Sequence, residues 1–157
     1  MTTRVERWFD APPEAVYAVL TDPVLGARWR VPDGMAVEVH EFDPRVGGAV
    51  RVSLTYDGDG AGKTRGRTDT YRGGFVQLVP GSRVVEEDEF ETNDPALAGI
   101  MRMTIELAPE NGGTRVVAVH EGVPDAVREE DNAEGWRQAL ERLGGMVEGR
   151  PGARPQA

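Results

Sequence analysis

The feature that most constrains this chain is near its C-terminal end, where Ala133, Trp136, Leu140, Leu143 and Val147 recur at spacings of three and four. That recurrence predicts an amphipathic α-helix of about five turns, from Glu129 to Val147, with one apolar stripe. The stripe needs a partner surface. The apolar surface left upstream is a series of alternating segments, so the expected class is α+β, with this helix lying across a curved antiparallel sheet. Glu129, Glu130, Asp131 and Glu134 gather at the start of the helix, where negative charge is stabilised by the backbone dipole. Gly144 and Gly145 fall inside it. Each costs a helix about 1 kcal/mol relative to alanine, so either the helix ends there or a neighbour approaches too closely for a Cβ.

Taken in order, Val5 to Phe9 reads as a strand that Ala11-Pro-Pro-Glu14 stops. Proline is at home in the first turn of a helix, and Val16, Val19 and Leu20 follow at helical spacing, giving a short helix over Pro13 to Leu20. Asp22 can cap and Pro23 can start a second short helix ending near Trp29. Alternation then predicts strands at Met35 to Val39 and Val50 to Tyr56, joined at Gly47-Gly48. A long strand over Thr68 to Val79 contains Gly73-Gly74, where a bulge or bend would curve the sheet. Further strands follow at Val84 to Phe90, Gly99 to Leu107 and Thr114 to Glu121, the last two joined by a hairpin turn at Asn111-Gly112-Gly113. The order is one strand, two short helices, six strands and a long helix, a single domain over residues 1–148. The tail, Arg150-Pro-Gly-Ala-Arg-Pro-Gln-Ala157, has no apolar anchor, and disorder is expected over residues 149–157.

Composition removes several function classes. With no cysteine and only His40 and His120, thiolate and histidine-rich metal sites are not available, and neither a metal nor a cofactor is expected. A net charge of -9 opposes the counterion-release attraction that drives nucleic-acid binding. Met1 to Trp8 has no apolar core of signal-peptide length and no stretch approaches the roughly 18 apolar residues of a membrane helix, so a cytoplasmic protein without membrane insertion is expected. Gly60-Ala-Gly-Lys-Thr64 looks like the end of a phosphate-binding loop, but the first glycine of that pattern would fall at Asp57, and Thr64 to Thr70 is strand-like. A hairpin loop is the better reading.

Ala11-Pro-Pro-Glu-Ala-Val-Tyr17, Leu20-Thr-Asp-Pro23, Trp29, Arg45-Val-Gly-Gly48, Tyr71-Arg-Gly73, Gly113-Thr-Arg-Val-Val117, His120-Glu-Gly122 and Gly135-Trp136 form an ordered series. Over about residues 3–147 it resembles the family homologous to the activator of heat-shock protein 90 ATPase, within the START-like SRPBCC superfamily. The resemblance implies the helix-grip fold of the birch-pollen allergen, a seven-stranded sheet wrapped around a C-terminal helix with a cavity between them. Relatives bind lipids, hormones or polyketides, or assist a chaperone, so the fold leaves function open.

Alternation nominates the lining of such a cavity: Val37, Val39, Val52, Leu54, Tyr56, Phe75, Met101, Met103 and Ile105 from strands, Trp29, and Trp136 and Leu140 from the helix. In the last strand apolar residues occupy both faces, and only the resemblance turns His120 inward, where it could act as a base or donate to a ligand. Glu86, Asp88 and Phe90 share one face of their strand, and Glu87, Glu89 and Glu91 the other. Either this is an acidic exposed edge that resists aggregation, or two carboxyls face the cavity with raised pKa. Three readings follow. The first is a binding protein for an apolar, lipid- or polyketide-like small molecule. The second is a cyclase-like enzyme using Glu86, Asp88 or His120 with Tyr56 or Tyr71 as donor. The third is an interaction module whose partner is a chaperone or a second copy of the chain.

Overall fold

The computed structural model describes residues 1–56 and 68–148. The phosphate-loop look-alike and the tail lie outside the described residues. Strands β1 (Thr3–Phe9), β2 (Met35–Phe42), β3 (Ala49–Tyr56), β4 (Thr68–Val79), β5 (Arg83–Phe90), β6 (Met101–Glu110) and β7 (Gly113–Glu121) form one sheet in the order β1-β7-β6-β5-β4-β3-β2. Every neighbouring pair is antiparallel. Helices α1 (Pro13–Leu20) and α2 (Glu129–Glu148) cover its concave face. This is the expected seven-stranded α+β grip. No described helix is long and apolar enough to cross a membrane.

Period-two patterning places the core. Met101, Met103, Ile105 and Leu107 of β6 are buried while Arg102 and Glu106 between them are exposed. Burying each such side chain contributes about 1.5–3 kcal/mol. Asn111 and Gly112 both have positive φ, 50° and 79°, the conformation a two-residue hairpin turn requires, and they set Glu110 opposite Gly113.

Three local expectations are corrected. The segment after Asp22 is capped as expected, with Asp22 Oδ1 accepting the Val24 and Leu25 N–H groups at 2.8 Å each, but it is not a second α-helix. It runs as turns into one 3₁₀ turn, Arg28–Arg30. The chain folds back tightly enough at Gly26 that a Cβ there would lie 2.6 Å from the Phe42 ring and 2.7 Å from the Asp22 carbonyl oxygen. The turn seats Trp29 with no exposed surface. In β4 the register shift lies between Phe75 and Gln77, beyond the glycine pair. Gly73 serves close strand approach instead, since a Cβ there would collide with the Glu87 carbonyl oxygen.

The third correction is β5, which is the central strand and not an exposed acidic edge. Its outer carboxylates Glu87, Glu89 and Glu91 meet Arg102, Arg72 and Arg51 at 2.8, 3.3 and 2.6 Å. Those pairs are solvated and contribute little each. Glu86 and Asp88 face the other way and are buried.

Helix α2 continues through both glycines, burying Leu140, Leu143, Gly144 and Val147. A Cβ on Gly144 would stand 3.0 Å from Cε1 of Phe9, whereas one on Gly145 would meet nothing within 4 Å. The close approach is therefore specific to Gly144.

Candidate functional site

Between the concave face and α2 lies a cavity of about 640 Å³, within the roughly 300–1,000 Å³ of small-molecule sites. Of the side chains nominated by alternation, Trp29, Leu54, Tyr56, Met101, Met103 and Trp136 line it, as does His120, which only the resemblance turned inward. Val37, Val39, Val52, Phe75, Ile105 and Leu140 do not, and belong to the core cluster of sheet and helices. Asp88 and Tyr71 also reach the cavity. Glu86 does not line it but lies fully buried behind Arg30, which does.

Arg30 and Glu86 make a two-bond pair. Nη1 donates to Oε2 and Nη2 to Oε1, both at 2.7 Å, while Nε donates to the Gly26 carbonyl at 3.3 Å. The guanidinium carbon is also 5.6 Å from the Trp29 ring centroid and 5.5 Å from that of Phe42, a cation–π setting on two sides. Burial alone would raise the pKa of Glu86, but the Arg30 charge outweighs it and holds the group below the usual carboxylate range. Among the described residues Asp88 has no cation of its own. Burial first, and then the adjacent Glu86 carboxylate, push it well above the carboxylate range. Burial likewise pushes Tyr71 up to about 12, against the pull of Arg30.

His120 is half-buried on the same concave face, in register with Met103 and Thr3. Its Nδ1 accepts from Trp136 Nε1 at 3.1 Å and faces Asn132 Nδ2 at 3.2 Å. Trp136 Nε1 can only donate, which fixes the lone pair on Nδ1 and the proton on Nε2. The rings of His120 and Trp136 meet edge to face at 5.5 Å. Burial lowers the imidazole pKa to about 4, so the ring is neutral at pH 7. Trp29 Nε1 and Asp88 Oδ1 are buried without a hydrogen-bond partner. Among the described residues no group of three or more His, Cys, Asp or Glu is placed to hold a metal ion.

A second cleft of about 450 Å³ lies on the convex face. Its walls include Arg51, Arg72, Glu87, Glu89 and Glu91, already engaged with one another or with Arg102.

Sequence reasoning missed Arg30 and Asn132. Two carboxyls on the inward face of one strand do demand a cation, but nothing in the spacing says that it comes from 56 residues upstream. Asn132 sits one helical turn before Trp136, and that pairing becomes legible only once His120 is known to face inward.

Residues 10–148 match the family described as Activator of Hsp90 ATPase homolog 1-like protein. No curated protein matches the chain. Among solved structures, one from Chromobacterium violaceum is 38% identical with a TM-score of 0.82, covering 94% of this chain and 96% of its own. One from Rhodobacter sphaeroides is 27% identical with a TM-score of 0.73, over 94% and 93%. The AHSA1 protein of Silicibacter pomeroyi, 21% identical over 94% and 97% with a TM-score of 0.74, shares the fold. Matched over nearly its whole described length, and built as a sheet gripping a C-terminal helix, the chain belongs to the activator of Hsp90 ATPase homolog 1-like family.

Proposed function

We propose that this protein binds an apolar small molecule in the cavity between the sheet and α2, as a cytoplasmic binding protein. The observation that carries the reading is the lining itself. Trp29, Leu54, Met101, Met103 and Trp136 supply apolar wall, and a few polar groups, Tyr71, Asp88 and His120, converge on the same space. That combination is what small-molecule sites are made of. Methionine walls adapt to ligand shape because the side chain is unbranched and polarizable. The test is native mass spectrometry of freshly purified protein, followed by a thermal-shift screen of fatty acids, flavonoids and aromatic polyketides. The reading expects a co-purifying mass or a Tm that rises with ligand concentration as mass action requires. A protein of bare mass that no compound stabilises would count against it.

A second reading, a cyclase-like enzyme, draws on one observation: Asp88, whose pKa is raised by burial and by Glu86, shares the cavity with Tyr71 and a neutral His120. Such a carboxylic acid can donate a proton to a ligand oxygen. Turnover of a bound compound that disappears in Asp88→Asn while binding persists is its test. Assistance to a chaperone is the reading that the family description itself suggests. It would draw on exposed apolar side chains such as Val24, Val46 and Ile100, which belong to three separate segments.

A further inference from the structure

Resting on the proposal that the cavity binds a small molecule, we infer that its polar end selects an uncharged hydrogen-bond acceptor, such as a ketone or quinone oxygen on an aromatic body, and rejects carboxylates.

The first ground is the fate of the one cation on the cavity floor. Both Arg30 terminal nitrogens are already on Glu86 and its Nε is on a backbone carbonyl, so its charge is matched before any ligand arrives. The second carboxyl on that face, Asp88, lies in the cavity wall with one oxygen unpartnered. At the mouth stand Asp33, Asp131 and Glu134, and among the described residues the only basic side chain there, Arg128, is engaged by Glu130 at 3.0 Å. An entering carboxylate would lose its hydration and find, among the described residues, no unmatched positive charge in exchange. Burying a charge without a partner is strongly unfavourable.

The second ground is the hydrogen-bonding sense of the polar groups. With Nδ1 of His120 occupied by its donors, the ring offers an N–H from Nε2. Tyr71 offers a hydroxyl. Asp69, a further buried carboxyl of the lining, already has an interaction of its own, so the groups turned to a ligand include two donors and the complementary ligand group is an acceptor. A ligand ammonium brings only further donors, and it would approach the buried Arg30 guanidinium. Trp29, Tyr56, Phe90 and Trp136 provide flat walls suited to an aromatic body.

The test uses one skeleton with four ends: naphthalene, 2-acetylnaphthalene, 2-naphthoate and 2-(aminomethyl)naphthalene, each titrated calorimetrically into the full chain at pH 7. The ketone is expected to bind at least tenfold more tightly than the carboxylate and the ammonium, and several-fold more tightly than the bare hydrocarbon. Tyr71→Phe is expected to weaken the ketone roughly threefold to tenfold, the usual value of one hydrogen bond. Carboxylate or ammonium binding as tight as the ketone overturns the inference and leaves the cavity reading standing. Equal affinity for ketone and bare naphthalene does the same. If none of the four binds, the cavity reading falls with it.

Discussion

Arg30 and Glu86 face one another across 56 residues of sequence through two 2.7 Å contacts, with side chains only 8% and 0% exposed. The pair is the electrostatic floor of the cavity. Replacing Arg30 by methionine keeps much of its packing but leaves Glu86 buried without a counter-charge. The expected cost is about 3–5 kcal/mol. The cost should depend on pH. In the native protein Glu86 has a lowered pKa, so its contribution is present above the unfolded carboxylate value and lost as pH falls through the folded one. In Arg30→Met burial acts alone and raises that pKa, reversing the sign. The Tm gap between native and variant protein is therefore expected to widen from pH 4 to pH 8. A gap that stays constant would contradict this account of the pair.

Asp88 titrates in the opposite sense. Its folded pKa is raised, so its contribution to stability is full below the unfolded value near 3.9 and is lost as pH rises through the folded one. Asp88→Asn keeps the shape and cannot ionise. The variant is expected to gain stability relative to the native protein as pH rises from that unfolded value towards neutrality. Thermal unfolding of the two proteins across that range, read as a difference, checks it.

His120 should remain neutral well below the usual imidazole range. Only His40 and His120 contribute imidazole signals, so a proton NMR titration separates them readily. The His120 ring is expected to hold its proton on Nε2 and to protonate at about pH 4. Because that pKa is depressed, the associated stability is complete above about pH 6.5 and is lost as pH falls towards 4. A His120 midpoint near 6.5 would mean that the ring is solvated and not held by Trp136 and Asn132.

The two glycines of α2 should respond differently to alanine. Gly145→Ala meets open space and recovers helix propensity, worth up to about 1 kcal/mol or about 2–4 °C in Tm. Gly144→Ala must displace the Phe9 ring, itself fully buried, by a few tenths of an ångström. It is expected to be neutral or destabilising. Equal gains at both positions would show that Phe9 yields freely.

Those glycines also mark how far the sequence can be read. The helix, its stripe and every described strand follow from periodicity, which is a local property of residues such as Met101, Met103, Ile105 and Leu107. Whether Gly144 ends the helix or accommodates a neighbour depends on Phe9, 135 positions away, and periodicity carries no such information. The same holds for β5. Its acids look like an aggregation-resistant edge until strand order puts the strand at the sheet centre, where Glu86 must be buried and must find Arg30. In β2, β3 and β6 alternation identified which side chains face inward but not which of them meet the cavity. Val52 and Leu54 share a face of β3, yet Val52 is sealed into the core and Leu54 lines the open space. The taper between sheet and helix decides that, and it is a tertiary property.

The central claim is that the space between the sheet and α2 is a ligand site, and methionine methyl groups report on it directly. Met35, Met101 and Met103 line the cavity, while Met146, farther along α2, does not. With methyl-labelled methionine, titration with 2-acetylnaphthalene is expected to shift the Met101 and Met103 signals saturably, by ring currents, and to leave Met146 in place. Methyl signals that do not move, or that move at Met146 and not at Met101 and Met103, would contradict the claim.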